Sequence, residues 1–337
     1  MPRSRLVLLA IITAVVLAGC LTDGPSDAPG AGGPESPSTE PVAGQGTWIW
    51  SSLPAVPTPR TEVTAVVLGG DVVVLGGFTS NNAVSNAAEA FDIEEATWRS
   101  LPPMPVPLHH APAVVYEGRI HVLGGHAGIP FVPQQVHLVY DMASGLWSQG
   151  TPLPSPRGAH GAAVLDGRAY LVGGVGPDGL VTRVDVYDLE ADTWSTAAEL
   201  PTAREHLAVA SLDGRIHAVG GRTGGLESNL ATHEALLPGE GWATLGPLPT
   251  ARGGLGGHAV GGLLAVVGGE SPEATHPEVE AWDPSTSSWS TLPDLPTPRH
   301  GLGVTAYAGT LYTAAGGPEP GLTTSGALEA LTLAPTP

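Results

Sequence analysis

The chain contains no lysine. All 13 of its basic residues are arginines, against 32 aspartates and glutamates, and the net charge is −19 at neutral pH. A protein that grips nucleic acid or an anionic lipid surface needs a basic patch or stripe. The composition therefore excludes nucleic acid as a partner and indicates an acidic surface that favours solubility.

Cysteine is almost as rare. The single cysteine, Cys20, rules out a disulfide within the chain and any metal site built on paired cysteines. The sequence also lacks the His-x-His, HExxH, Gly-x-Ser-x-Gly and P-loop patterns that carry metal, nucleophile or phosphate chemistry. These motifs therefore predict no catalytic residue, no cofactor and no metal site.

Glycine is abundant, and it recurs in a fixed frame. Five adjacent pairs each close a short apolar run: Gly76-Gly77, Gly124-Gly125, Gly173-Gly174, Gly220-Gly221 and Gly268-Gly269. A tryptophan precedes each pair by 26 residues (Trp50, Trp98, Trp147, Trp194, Trp242). An arginine precedes it by 16 (Arg60, Arg157, Arg204, Arg252), with Leu108 in the second copy. Trp289 and Arg299 open a sixth copy, in which Ala315 replaces the first glycine.

Each copy, of about 48 residues, has the period of a solenoid or propeller. Within a copy we expect one strand after the arginine, a second running into the glycine pair, a third ending in aromatic-Asp, and a fourth opened by the tryptophan. All length variation falls between the glycine pair and the next tryptophan. We therefore predict an all-β fold, a six-bladed β-propeller of four-stranded blades.

The two ends of the chain complete each other. The last copy stops where a tryptophan strand is due, whereas the first has a surplus strand, Thr47–Ser51. We expect this strand to complete the blade built from residues 300–334, which closes the ring and removes the free sheet edges. The propeller is then one domain, residues 47–334.

The repeat resembles the Kelch family, whose pattern joins a Gly-Gly pair, an aromatic-Asp, a tryptophan and a Pro-Arg in this order. The resemblance covers residues 47–334 and places the chain near the galactose oxidase-like central domain superfamily. The second copy departs at Leu108, and the fourth has Glu234-Ala235 in place of aromatic-Asp. Galactose oxidase uses copper with a tyrosine cross-linked to a cysteine, and that chemistry is excluded because Cys20 lies outside the repeats.

The N-terminus has the pattern of an exported lipoprotein. Arg3 and Arg5 precede an apolar run from Leu6 to Gly19, which fits a signal-peptide core. Leu17-Ala18-Gly19-Cys20 resembles the lipobox of prokaryotic lipoproteins, in which the cysteine carries the lipid. Residues 1–19 are thus predicted to be a signal peptide, Cys20 the lipidation site, and residues 20–46 a flexible linker. The alternative is ordinary secretion with an unmodified Cys20.

The frame arginines are the first candidate ligand contacts. Arg60, Arg157, Arg204, Arg252 and Arg299 all start a first strand and so lie at one end of the ring. A residue repeated in five of six blades is more often architectural, bonding carbonyls or a carboxylate between blades. The pair His109-His110 is a poor chelate, because neighbours on a strand point to opposite faces.

The second candidate ligand-binding surface consists of loops of variable length on a rigid scaffold. The connections after the glycine pairs and the Pro-rich connections before the frame arginines open on one face, termed here the variable face, where binding residues are expected. Large side chains at non-repeated positions stand out there: His126, Phe131, Arg222, Glu270 and His276. They either contribute to recognition or merely cap blade ends.

Taken together, these features favour a monomeric, membrane-tethered binding module for a protein or a glycan. The alternative is a carbohydrate-active enzyme such as a sugar-acid epimerase or mutarotase, as in some Kelch-type propellers. An enzyme is expected to gather a few non-repeated charged groups at the central opening. A binder is expected to present a broad, shallow loop surface.

Overall fold

The computed structural model describes residues 46–335, which form six four-stranded antiparallel sheets. The first blade contains Thr64–Leu68, Asp71–Leu75, Ala88–Asp92 and Thr97–Ser100. The second contains Ala113–Tyr116, Arg119–Leu123, His137–Asp141 and Leu146–Gln149. The third contains Gly161–Leu165, Arg168–Val172, Val184–Asp188 and Thr193–Ala197. The fourth contains Ala208–Leu212, Arg215–Val219, His233–Leu237 and Gly241–Thr244. The fifth contains Gly256–Val260, Leu263–Val267, Val279–Asp283 and Ser288–Leu292. The sixth contains Gly303–Tyr307, Thr310–Ala314, Leu328–Pro335 and Gly46–Leu53. The six-bladed propeller is confirmed.

Short elements decorate the variable face. Arg60–Thr61 pairs with Phe78–Thr79, and the connections of the second and third blades form the small hairpins His126–Ala127 with Val132–Pro133 and Val175–Gly176 with Gly179–Leu180. A 3-10 helix spans Leu226–Ser228. Within residues 46–335 no helix is long and apolar enough to cross a membrane.

The second strand of each blade is almost entirely buried. Leu75, Val122, Val172 and Val219 are almost completely buried. These strands are rich in Val, Ile, Leu and Ala because each lies centrally in its sheet and is covered by neighbouring blades on both faces. The core is therefore a series of sheet-on-sheet layers arranged around the ring.

The frame tryptophans join blades. Each indole donates its Nε1–H to a main-chain carbonyl in the preceding copy, as Trp98 does to Pro54 O at 2.8 Å and Trp147 to Pro102 O at 2.7 Å. In four blades the ring itself packs against an aromatic on the third strand, such as Phe91 beside Trp98. This double use of an apolar body and a polar edge explains the strict phase of the tryptophans.

The ring closes through its two ends. Gly46–Leu53 pairs antiparallel with Leu328–Pro335 along its whole length, with Trp50 opposite Leu331. Trp50 also donates to Pro293 O at 2.8 Å. The sixth blade therefore contains the first and the last described strands, as the surplus N-terminal strand suggested. Its first residue is Gly46, one earlier than the predicted start.

The frame arginines form buried ion pairs inside five of the six blades. All five are fully buried, and each pairs with a buried carboxylate of its third strand: Arg60 with Glu89, Arg157 with Asp185, Arg204 with Glu234, Arg252 with Glu280 and Arg299 with Glu329. Four of them also donate to the carbonyl of the first glycine position, as Arg204 Nε does to Gly220 O at 2.9 Å. That bond explains the constant spacing of 16 residues. With no exposed guanidinium atom, these arginines lie in the framework and not at a surface that meets a ligand.

Glycine is favoured at the first position of the pair for two reasons, its positive φ and the close approach of a neighbouring carbonyl. Gly124 has φ +68°, and a Cβ there would lie 2.6 Å from Arg157 O of the next blade. Ala315 occupies the same position in the sixth blade with φ +56°.

The predicted signal peptide, Cys20 and most of the predicted linker lie outside the described residues.

Candidate functional site

The propeller encloses a central channel. A cavity of about 370 Å³ is lined by the first strand of every blade and by the residues that lead into it. Most of these residues are small and apolar, such as Ala113, Ala162, Ala208, Gly257 and Ala306. Small side chains are needed because six strands converge close to the axis. The walls are therefore mostly apolar, although His160 and His258 also line the cavity.

A ring of backbone hydrogen bonds surrounds the mouth on the variable face. It is formed by the residue two positions after each frame position: Glu62, His110, Ala159, His206, Gly254 and Gly301. Five of the six amides donate to the carbonyl of their predecessor in the ring, as His110 N does to Glu62 O at 3.2 Å and His206 N to Ala159 O at 3.0 Å. The ring closes from Val63 N to Gly301 O at 3.2 Å. All six residues have φ between +50° and +68°.

Three of the six ring residues are ionisable. His110 Nε2 lies 3.0 Å from Glu62 Oε2, and one ligand atom of His206 lies within 4.8 Å of ligand atoms of both. Left-handed backbone suits glycine and costs about 1–3 kcal/mol for residues with side chains. Glu62, His110 and His206 bear that cost where Gly254 and Gly301 avoid it. Strained, non-repeated, ionisable residues mark this mouth as the candidate site.

A second tier of charge surrounds the ring. Arg222 Nη1 lies 2.9 Å from Glu270 Oε1, and Arg222 Nε lies 3.3 Å from Glu205 Oε1. Glu205 Oε2 in turn lies 3.1 Å from His206 Nδ1. His300 Nε2 lies 3.5 Å from Glu62 Oε1 and 3.6 Å from Glu270 Oε2. Seven ionisable side chains thus form one continuous network around the mouth.

Two carboxylates of the network have lowered pKa values. Burial would raise the pKa of Glu62, but His110, His300 and His206 outweigh it and hold that pKa well below its usual range. Burial likewise opposes ionisation of Glu205, while His206 and Arg222 lower its pKa to about 2. Glu205 and Glu270 share one guanidinium, that of Arg222, whereas Glu62 faces His110 and His300.

The expectation for His109 and His110 is wrong in its geometry. Because His110 has φ +50°, the two residues do not alternate as strand neighbours do, and their Nδ1 atoms lie 2.6 Å apart. His109 Nε2 lies 3.2 Å from Gly128 O. His109 is neutral, since burial lowers its pKa to about 3. With His109 neutral, its Nε2–H donates to Gly128 O and its Nδ1 accepts from His110 Nδ1–H. His110 Nε2 then faces Glu62.

An aromatic group covers one side of the mouth. Phe131 lies in the connection of the second blade, is 42% exposed, and has its ring centroid 4.6 Å from that of His109 and 5.4 Å from that of His110. Phe78 is buried beneath it at 5.7 Å, and His126 lies at the same distance. Phe131 therefore offers an exposed ring face beside the ionisable residues.

The predicted candidates of the variable face separate into three groups. Arg222 and Glu270 belong to the network, Phe131 lies beside it, and His126 is buried under Phe131. His276 makes a separate contact, 3.1 Å from Glu278. The sequence places these connections on one face, and the pairing of Glu205 with Arg222 and of Gly253 with Glu270 brings them beside the frame segments.

Glu62, His110, His206, Glu205 and His300 escaped the sequence prediction. All of them lie one or two residues after a frame position, where the six copies differ most in chemistry. This variation in residue type was a usable sequence signal, because a symmetric framework does not require the copies to differ there. What the repeat could not provide is their mutual distance, which depends on the radius of the ring.

Comparison with protein families matches the Kelch motif to residues 59–105, 156–201 and 251–296. These are the first, third and fifth copies; the others carry Leu108, Glu234-Ala235 and Ala315 as departures. No curated protein matches the chain. A solved structure described as "Structure of YjhT" is similar in fold, with a TM-score of 0.72 at 17% identity over 83% of this chain and 97% of that one. The chain is thus a six-bladed β-propeller that carries Kelch motifs.

Proposed function

We propose that the mouth of the channel on the variable face binds the terminal unit of a neutral glycan. The observation that carries this proposal is the convergence of seven non-repeated ionisable side chains on one opening, with an exposed aromatic ring beside them. Small-ligand sites combine apolar surface with a few convergent polar groups, and this mouth does so. Phe131 would stack on the apolar face of a sugar ring while carboxylates and histidines accept and donate to its hydroxyls.

The charge of the mouth favours a neutral ligand over a sugar acid. A ligand carboxylate needs cationic partners, and the guanidinium of Arg222 is already shared between Glu205 and Glu270. An anionic ligand would also meet the ionised Glu62, which burial alone would not leave charged. A sialate-type substrate is therefore less compatible with this opening than an uncharged sugar.

Catalysis on such a sugar is the second candidate. Charged groups gathered at the central opening are the arrangement expected of an enzyme, and Glu62 lies between His110 and His300 at 3.0 and 3.5 Å. The same residues would then transfer protons to and from a bound sugar. Binding without turnover separates the first candidate from the second.

We also propose that the chain is exported and tethered by lipid at Cys20. The lipobox-like Leu17-Ala18-Gly19-Cys20 after a charged start and an apolar run supports this. A propeller held outside the cytoplasmic membrane would meet extracellular or envelope glycans, in keeping with the proposed ligand.

The test uses a glycan array, followed by calorimetry with the neutral sugars that bind. Phe131→Ala and Arg222→Ala are compared with Tyr307→Ala, a matched control because Tyr307 is 45% exposed and lies at the opposite end of its first strand. We expect binding to fall at least tenfold in the first two variants and to stay unchanged in the control, with Phe131→Ala and Tyr307→Ala at the melting temperature of the unsubstituted protein. Binding of acidic sugars or of proteins alone, or equal binding by all variants, would contradict the proposal.

A further inference from the structure

The mouth of the channel also contains a set of side chains suited to a metal ion. We propose that Glu62, His110 and His206 bind one divalent transition-metal ion of the zinc class. The three residues come from three different blades, and their ligand atoms lie within 4.8 Å of one another. This inference does not depend on the proposed glycan, because metal binding is measured without any other ligand.

The donor set fits the ion. Two imidazole nitrogens and one carboxylate oxygen are ligands that zinc and its neighbours in the first transition row accept. A zinc ion with bonds of about 2.0–2.2 Å holds tetrahedral donors about 3.4 Å apart. The 3.0 Å between His110 Nε2 and Glu62 Oε2 is already close to that spacing, and side-chain rotation of His206 covers the rest. Three protein ligands leave a fourth position open to solvent or substrate.

The second ring nitrogen of each histidine has a polar neighbour behind the ligand atom. His206 has Glu205 Oε2 at 3.1 Å from its Nδ1, which leaves Nε2 free for the ion. His110 has its Nδ1 at 2.6 Å from His109 Nδ1, and His109 is fixed by Gly128 O, so Nε2 of His110 is again the free atom. Metal-binding histidines usually have such a partner on the second ring nitrogen, which sets the tautomer.

The charge balance points the same way. Glu62 and Glu270 are buried and Glu205 is half-buried, and Arg222 is the one side chain of this network with a permanent positive charge. Buried charge is costly unless it is compensated. A divalent cation between Glu62 and the two histidines supplies that compensation. It also accounts for the placement of three large residues on left-handed backbone, where two of the other ring positions use glycine.

The test titrates the metal-free purified protein with Zn²⁺ by calorimetry and with Co²⁺ by visible absorption. We expect one equivalent to bind and a d–d spectrum of a four- or five-coordinate site with nitrogen and oxygen ligands. His110→Ala and His206→Ala are suitable variants because Ala159 occupies the same ring with the same backbone. Each of these and Glu62→Gln should weaken binding more than tenfold. Glu205→Gln should weaken it by about 10–100-fold through the orientation of His206.

His276→Gln is the matched control. His276 lies 3.1 Å from Glu278 on the same face, so it offers a histidine–carboxylate pair without a third ligand. Its substitution should leave the affinity and stoichiometry unchanged. If the ligand variants fail to fold, anomalous diffraction from zinc-soaked crystals of the unsubstituted protein decides, with a peak expected between the three side chains. No stoichiometric binding, binding unaffected by all three variants, or a peak elsewhere would overturn the proposal.

Discussion

Leu108 and Leu138 lie fully buried in one core cluster of the second blade, at the two positions where the other five blades hold an arginine and a carboxylate. Both partners of the ion pair are therefore replaced together, and no charge is left alone in the core. Register supports the equivalence, since Leu138 is opposite Val122 as Glu234 is opposite Ala218. In the second blade the buried ion pair is thus replaced as a whole by two apolar side chains.

This relationship predicts how a blade responds to loss of the pair. Arg204→Leu or Glu234→Leu alone should lower the free energy of unfolding by about 3–5 kcal/mol, since each leaves a buried charge unpaired. The double variant should lose clearly less than the sum of the two, because it copies the second blade. Urea unfolding of the four proteins in a double-mutant cycle gives the coupling. Additive losses would show that the carbonyl bonds of Arg204 dominate.

Substitutions in the ring at the channel mouth should reduce stability less than substitutions of the frame arginines two residues earlier in the sequence. His206 has φ +52°, so His206→Gly relieves an unfavourable backbone conformation. We expect the free energy of unfolding, measured with chelator present, to change by no more than about 1 kcal/mol, as for a site outside the named destabilising mechanisms. Arg204→Ala is the comparison and should be severe. A loss at His206 as large as that at Arg204 would place His206 in the framework.

Acid should destabilise the propeller through histidines far from the mouth. His217 and His233 are buried in the fourth blade, Nδ1 to Nε2 at 2.9 Å, and burial lowers their pKa values to about 4 and about 3. The unfolded chain titrates them near pH 6.5, so it binds more protons at every pH between about 6.5 and 4. The free energy of unfolding should then fall with decreasing pH across this window, by up to about 1.4 kcal/mol per pH unit for each histidine, and be independent of them above it.

The third blade supplies the matched variant for this prediction. Tyr170 and Val184 occupy the positions of His217 and His233 there. The double variant His217→Tyr/His233→Val should fold and show a shallower decline between pH 6.5 and 4 in chemical unfolding. An unchanged slope would assign the acid sensitivity to other groups, such as His121 and His137 of the second blade, whose pKa values burial also lowers.

Because the first strand closes the ring, the thermal stability of the protein should depend strongly on its presence. A chain that begins at Gly46 keeps the strand opposite Leu328–Pro335, whereas one that begins at Leu53 loses Trp48 and Trp50 from the core beside Leu331. At about 1.5–3 kcal/mol for each large apolar side chain, the second truncation should cost several kcal/mol. Melting temperatures measure this. Ile49→Ala, at a position 54% exposed in the same strand, should change little.

The tether is tested by fractionation. If Cys20 carries lipid, Cys20→Ser should move the protein from the membrane fraction to the soluble exported fraction. Unchanged partition would mean that the apolar run from Leu6 to Gly19 is retained or that the propeller itself binds a membrane partner.

The repeat frame by itself determined the architecture. A tryptophan, an arginine and a glycine pair at constant spacing are recognisable because each has one local physical role. The tryptophan bridges blades, the arginine bonds the glycine carbonyl, and the glycine permits close approach, as of Arg157 O to Gly124. Thr47–Ser51 as the closing strand followed from the same frame, since an unfilled fourth strand at one end matched a surplus strand at the other.

Only the tertiary structure decided the site. Glu62, His110 and His206 are separated by whole blades in sequence, and what brings their ligand atoms together is the hydrogen-bonded ring and its left-handed backbone. The direction of His110 could not be predicted from strand alternation, because a positive φ reverses it. The frame arginines were ambiguous for the complementary reason: position along the strand fixed their end of the ring, whereas their burial depended on carboxylates from the third strands.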